Sequence, residues 1–393
     1  MAFSQLLQRA DSIQVYENGK KLGSQFTGGL SLPQFSPMDL NGDGTLDLFC
    51  FDRDVNKAIT FLNGGTPNTV DYTHAPQYQD QFPKGLSAFT LARDYDCDGN
   101  MDLFTSNGDV MALYRWTAPG PMPYTLVTDT VLSDFGSGPE PLPVLSDDIP
   151  AIIDVEGDGY LDILTFEPNG TFLEWHRNVT FDSTGSCNGF ELIRADGCWG
   201  KFGESALGNN ITLNQSCRLG PTPSPIPSQD EVHGGSTVAA FDEDGDGDLE
   251  IFLGDLLYAD MVFLRNGGTN TNALIDSVQY AFPLYDAKVN LWLSPGGFFF
   301  DADNDSLTDF ICTPQLINVS VNQECNWMYK NVGNSVQATF NQVSKTFLLD
   351  DMVDVGRGAY PVFFDQNGDS LLDLVIGNVT YKPSDLNEKS ALT

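Results

Sequence analysis

Six runs of nine residues in this 393-residue chain carry acidic or amide side chains at positions 1, 3, 5 and 9. The first is Asp39-Leu-Asn-Gly-Asp-Gly-Thr-Leu-Asp47, whose oxygen-bearing side chains are Asp39, Asn41, Asp43 and Asp47. The next two sets are Asp94, Asp96, Asp98 and Asp102, then Asp154, Glu156, Asp158 and Asp162. The last three are Asp242, Asp244, Asp246 and Glu250, then Asp301, Asp303, Asp305 and Asp309, then Asp365, Asn367, Asp369 and Asp373. Oxygens at alternate positions of a tight loop, with a backbone carbonyl at position 7 and a further carboxylate, make the hard shell that Ca²⁺ prefers. Gly44, Gly99, Gly159 and Gly247 at position 6 allow the positive φ by which a backbone wraps an ion, whereas Ser306 and Ser370 stand there in the last two copies. Asp, Asn and Gly are also ordinary turn formers, but six-fold recurrence of four spaced oxygen positions favours bound calcium, up to six ions.

The loops need elements to hold them. Apolar runs such as Pro33–Met38, Thr237–Phe241 and Tyr360–Phe364 precede the copies, and Leu48–Phe51, Ile163–Phe166 and Leu374–Ile376 follow them. Short, bulky and bounded by Gly, Asp and Asn, they predict buried strands. A third strand ends in a recurring turn at Asn63, Asn178, Asn266 and Asn331, and a sustained amphipathic helix is nowhere found. The closing carboxylate at position 9, with strands on both sides, separates these loops from the EF-hand, whose loop closes at position 12 between helices.

Successive copies start 55, 60, 88, 59 and 64 residues apart. A three- or four-stranded unit of that size, repeated, predicts an all-β fold, a β-propeller forming a single domain over residues 1–393. Six or seven blades fit the six copies. Ile13-Gln-Val-Tyr-Glu-Asn-Gly19 looks like an orphan third strand that could complete a blade begun by residues 360–380, while Ser390–Thr393 looks like a third strand cut off as it starts, so a closed six-bladed ring and a piece of a larger propeller both stand. The third repeat is enlarged by an insertion over residues 180–235, with Cys187, Cys198, Cys217 and a Pro-rich stretch from Gly220 to Pro227.

Charge and composition set the outer limits. Against 54 Asp and Glu there are 19 Lys and Arg, a formal net charge of −35, which disfavours nucleic acid and anionic lipid as partners. A hydrophobic content of 41% with 27 Phe excludes a solvated disordered polymer. No apolar run reaches the roughly 18 residues of a membrane span, and the first residues lack the apolar stretch of a secretory signal. Of the seven cysteines, Cys312 and Cys325 flank adjacent strands and predict a hairpin disulfide, the insertion predicts another, Cys50 reads as a free core thiol, and Cys97 inside the second acidic loop has no assignment. His74, His176 and His233 show no catalytic spacing and read as structural.

The motif Asp-x-Asp/Asn-Gly-Asp-Gly-x-x-Asp between apolar strands resembles the FG-GAP and VCBS repeats of calcium-binding propeller blades, as in integrin α-subunits and secreted bacterial proteins. Pro33–Ser36, Cys198–Phe202, His233–Thr237 and Gly358–Asp365 are similar to VCBS-repeat surface proteins of Bacteroidetes. That resemblance implies an extracellular or cell-surface location, often reached by type IX secretion, although the sorting domain of that route is not in this sequence. The expected function is a calcium-stabilised binding or adhesion module for a protein or glycan ligand, without a catalytic constellation. The alternatives are a carbohydrate lyase or hydrolase on the same scaffold, and a structural subunit of a surface complex.

Overall fold

The structure is a computed structural model that describes residues 14–17, 19–117, 123–205, 208–216, 236–317 and 319–379. Within them five sheets, four of four strands and one of six, follow one another as the blades of a β-propeller, each with four successive antiparallel strands. Blade 1 is Pro33–Met38, Asp47–Asp52, Lys57–Asn63 and Tyr72–His74; blade 2 is Thr90–Arg93, Asp102–Ser106, Met111–Trp116 and Tyr124–Thr128. Blade 3 is Ala151–Ile153, Asp162–Phe166, Leu173–Asn178 and Leu192–Asp196, widened by Leu132–Asp134 running parallel to its last strand and by Pro139–Pro141. Blade 4 is Ser236–Phe241, Glu250–Asp255, Met261–Asn266 and Ile275–Gln279; blade 5 is Pro295–Phe300, Asp309–Pro314, Trp327–Asn331 and Phe340–Ser344.

In each blade the second strand is buried on both faces, as in Asp47–Asp52, Glu250–Asp255 and Asp309–Pro314. Neighbouring blades cover the two faces, which is why these segments read as continuous apolar runs instead of alternating ones. Aromatic rings fill the joints. Phe252, Phe299 and Phe310 pack together between blades 4 and 5, and Phe35 meets Phe298 and Phe347 between blades 1 and 5.

First strands line the inside of the ring and tie blade to blade. The Gln34 Nε2 donates to Ala88 O and its Oε1 accepts from Thr90 N, joining blades 1 and 2. Val238 N donates to Ile149 O between blades 3 and 4, and Thr237 Oγ1 to Pro295 O between blades 4 and 5. The ring closes where Thr313 Oγ1 and Gln315 Nε2 both donate to Pro33 O, blade 5 to blade 1.

Closure therefore comes after five blades, not the six or seven that the repeat count predicts. The sixth acidic loop lies on a two-stranded hairpin, Tyr360–Phe364 with Asp373–Gly377, whose Tyr360, Phe363 and Val362 are more than half exposed. Completion of that hairpin by an N-terminal strand is not what the described residues do. Tyr16–Glu17 pairs with Lys20–Lys21, and the segment after it is held by Ser24 N donating to Asp351 O; Ile13 and Asn18 lie outside the described residues.

The enlarged third repeat is in part blade. Residues 180–235 contain the fourth strand of blade 3, Leu192–Asp196, a five-residue helix Thr180–Thr184, and the hairpin Phe202–Ser205 with Gly208–Leu213. Trp199 and Phe202 are fully buried between blades 3 and 4. Cys198 is disulfide-bonded, while Cys217, the Pro-rich stretch and His233 lie outside the described residues. The expected Cys312–Cys325 bridge is absent: both thiols are free and buried. Cys312 sits opposite Trp327 in the ladder, two residues beyond Cys325, whose Sγ turns to Leu30 O in the segment before blade 1. Cys50 is a free core thiol, as expected.

Candidate metal centres

Each acidic run of the ring joins the first strand of a blade to the second. Because the blades repeat around one axis, the five loops open on one rim. Their fold is written by their own carboxylates. At position 1 the two oxygens of Asp39 accept from Gly42 N and Gly44 N, and those of Asp301 from Asp305 N and Ser306 N. At position 5 one oxygen accepts from the amide two residues on, Asp43 from Thr45, Asp158 from Tyr160 and Asp305 from Leu307. These are Asx turns, and they shape the loop before any ion arrives.

Two positions in every loop take positive φ. Position 6 does so in Gly44, Gly99, Gly159 and Gly247 and equally in Ser306 and Ser370 (φ 70° and 72°). Position 4 does so as well, in Gly42, Gly157, Gly245 and Gly368, and in Cys97 and Asn304, which stand where the others have glycine. The position 6 glycines are expected from the sequence; the second left-handed position is not, because Cys97 and Asn304 interrupt its glycines.

At position 9 the carboxylates of Asp47, Asp102, Asp162, Glu250 and Asp309 are buried. Each ties its loop to the blade: Asp102 accepts from Tyr95 N and Trp116 N, and Asp309 from Ala302 N and Asn331 N. The turn residues Asn63, Asn178 and Asn331 are thereby fixed by their amides. Burial pushes the carboxyls of Asp102, Asp162 and Asp309 up to about 7 and that of Glu250 up to about 8. A bare negative charge at this depth is unfavourable, and a proton or a cation relieves it.

Position 3 points inward. Asp96 and Asp303 are each 5% exposed, and Oδ1 of Asp96, Asp244 and Asp303 has no hydrogen-bond partner. Three clusters bring ligand atoms within 4.8 Å of one another: Asp94, Asp96 and Asp102; Asp242, Asp244 and Asp246; Asp301, Asp303 and Asp309. Asp39, Asn41, Asp43 and Asp47, with Asp154, Glu156, Asp158 and Asp162, fold into the same loop shape in blades 1 and 3. Asp365, Asn367, Asp369 and Asp373 do so on the exposed hairpin.

A second charge, missed in the sequence, stands beside four of the loops. Arg115, Arg177, Arg265 and Lys330 at the end of the third strand pair with the position 3 acids Asp96, Glu156, Asp244 and Asp303. Lys330 also reaches Asp305 at 2.7 Å, and Arg177 reaches Asp158 at 3.7 Å. Blade 1 has the neutral Asn41 at position 3, and there the corresponding third-strand residue is Leu62.

One arrangement has the composition of a hydrolytic triad. His176 Nδ1 lies 2.8 Å from Ser133 Oγ, and its Nε2 lies 3.3 Å from Glu174. His176 and Ser133 are 0% exposed, so no substrate reaches them, and the group instead pins the parallel strand Leu132–Asp134 onto blade 3.

No family model matches the chain, and no curated protein does. Among solved structures, an Agrocybe aegerita lectin, described as recognising non-reducing terminal N-acetylglucosamine, is similar at 16% identity over 88% of this chain and 74% of its own, with a TM-score of 0.34. The V. cholerae biofilm matrix protein Bap1 is similar at 14% identity over 79% of this chain and 40% of its own, with a TM-score of 0.26.

Proposed function

We propose that this propeller is a calcium-stabilised binding or adhesion module that works outside the cell, of the FG-GAP and VCBS kind, with a protein or glycan as its ligand. The observation that carries the metal reading is the unpartnered, inward Oδ1 of Asp96, Asp244 and Asp303, each in a loop already folded around it. A buried carboxylate oxygen without a donor is costly unless a cation completes it, and an all-oxygen set selects a hard ion such as Ca²⁺. Weak extracellular sites fill only where free calcium is near millimolar, which is why the loops suit that location. With a Kd of about 10⁻⁴ M and about 1 mM calcium, each filled site adds roughly 1.4 kcal/mol.

The binding reading draws on the rigid rim and on the exposed aromatics of the segment that leads from blade 4 to blade 5. Tyr280, Tyr285 and Trp292 are between 42% and 52% exposed, and such rings stack on sugar rings and on protein side chains alike. Metal analysis and thermal unfolding test the first half: calcium should co-purify, and EGTA should lower the Tm, whereas a metal-free protein indifferent to EGTA would sink the claim. A glycan array with and without Trp292→Ala tests the second. Retention lost in the variant supports it, and turnover of a bound glycan would favour an enzyme instead.

A further inference from the structure

The segment from Val179 to Glu191 leaves blade 3 and lies across to blade 2. On one side of Cys187, Phe181 stacks on Tyr160 of the blade 3 loop at 5.1 Å. On the other, Phe190 packs against Tyr95 and Phe104 of blade 2 at 6.0 and 5.2 Å. Val179 N donating to Glu191 O closes the base of the segment. Phe190 thereby rests on Tyr95, two residues before Cys97, and Phe181 on the blade 3 loop, so the segment carries Cys187 between the two acidic loops and beside Cys97.

Cys97 is an odd residue for its place. It occupies position 4 of the loop at φ 59°, where four of the other five copies have glycine, and a side chain in that region is strained. Cys97 is exposed and Cys187 half-buried, so a small oxidant reaches both, in contrast to the buried Cys50, Cys312 and Cys325.

We propose that Cys97 and Cys187 are the two halves of a disulfide that staples blade 2 to blade 3. The oxidant is a small-molecule disulfide of the glutathione class. The Cys187 thiolate attacks one sulfur of that disulfide, forming a mixed disulfide and releasing one thiolate. The Cys97 sulfur, giving up its proton, then attacks the Cys187 sulfur and releases the second. The oxidant takes up two electrons, and the two protons lost by the cysteines leave on the two small-molecule thiols. The staple spans a joint where the inner strands meet through a side chain, Arg93 Nε donating to Ile152 O. It closes a long loop of chain, the case in which a cross-link constrains the unfolded state most.

The test uses the full chain, reduced and then equilibrated with oxidised glutathione, alkylated under denaturing conditions and digested. Besides the bridge that Cys198 already makes, the expected product is a cross-linked peptide pair joining Cys97 to Cys187, with Cys50, Cys312 and Cys325 alkylated. Alkylation of both Cys97 and Cys187, glutathione left on either, or pairing with another cysteine overturns the proposal. Thermal unfolding gives a second readout. Oxidation should raise the Tm by about 5 °C, and Cys97→Gly, which installs the residue that four sister loops carry, should abolish that gain without lowering the Tm of the reduced protein. A Tm gain that persists in Cys97→Gly overturns the staple as its source.

Discussion

Blades 1 and 5 are neighbours in the closed ring, and their loops touch, Asn63 Nδ2 donating to Asn304 Oδ1 at 2.8 Å. They solve one electrostatic problem in two ways. Blade 1 puts Asn41 at position 3 and Leu62 on the third strand; blade 5 puts Asp303 at position 3 and answers it with Lys330, which bridges Asp303 and Asp305. Counting positions 1, 3, 5 and 9 with the third-strand residue, both loops come to three formal negative charges, and blades 2, 3 and 4 keep the same balance with Arg115, Arg177 and Arg265. At position 3 an acid stands in place of the amide only where a base accompanies it, although the blade 4 run carries Glu243 and Asp248 in addition. At positions 1, 3, 5 and 9 with the third-strand residue, the five blades hold the net charge constant more strictly than the identity of any one residue.

The largest effect should come from position 4, where the blades differ in how closely a neighbour approaches. A Cβ on Gly245 would lie 1.6 Å from Val336 O of blade 5, at φ +74°, whereas a Cβ on Gly42 meets nothing within 4 Å at φ +79°. Gly245→Ala should therefore destabilise by about 3 kcal/mol or more, through strain and a backbone clash together. Gly42→Ala should cost about 1 kcal/mol, the conformational part alone. Urea unfolding of the two variants gives the comparison directly, and equal losses would show that the blade 4 to blade 5 contact is not as close as described.

Next in size is the removal of a resident base. In Lys330→Met the carboxylates of Asp303 and Asp305, both near-buried, lose their counter-charge. The expected loss is about 2 kcal/mol without calcium, discounted because Lys330 itself is one-quarter exposed. With calcium saturating, the loss should shrink. A loss independent of calcium would separate the base from the metal site.

The reverse change sharpens the same contrast. Leu62→Arg adds a positive charge to a loop with no acid at position 3, and should weaken calcium binding at blade 1 about fivefold. Adding Asn41→Asp to that variant should restore it. Titration calorimetry reads both, and a double variant as weak as the single one would break the idea of a conserved balance.

These contrasts also mark what the sequence discloses. The nine-residue loops, the strands on either side and the turn asparagines are legible because they obey local rules: Asx turns, positive φ at glycine, and an amide at Asn63 or Asn331 bound by the position 9 acid. The basic residues stand in plain view, Arg177, Arg265 and Lys330 each immediately before a turn asparagine, but only the fold shows that they come back to the position 3 acids. Blade number is hidden for a related reason. Closure depends on Pro33, Gln34, Thr313 and Gln315 meeting across the ring, and these residues carry no repeat signature, so six motifs predict six or seven blades where the described residues close five. The Cys312–Cys325 expectation failed on register, as proximity in sequence does not make two side chains face each other.

The smallest effect tests whether the serine loops are weakened or merely different. Ser306 in blade 5 holds φ +70°, the region Gly44 occupies at +85° in blade 1, and its amide still donates to Asp301 as that of Gly44 does to Asp39. A Cβ on Gly44 would meet nothing within 4 Å, so exchange between the two residues changes conformational strain and leaves packing alone. Ser306→Gly should stabilise by about 0.5 kcal/mol, because relief of the left-handed strain exceeds the entropy that glycine adds to the unfolded chain. Gly44→Ser should lose about as much. Calcium affinity at blade 5 should hold nearly constant in Ser306→Gly, since no oxygen ligand at positions 1, 3, 5 or 9 moves. A large gain in affinity would mean that the serine holds the loop away from its ion-binding shape, and blades 1 and 5 would then differ in geometry as well as in the way they carry their charge.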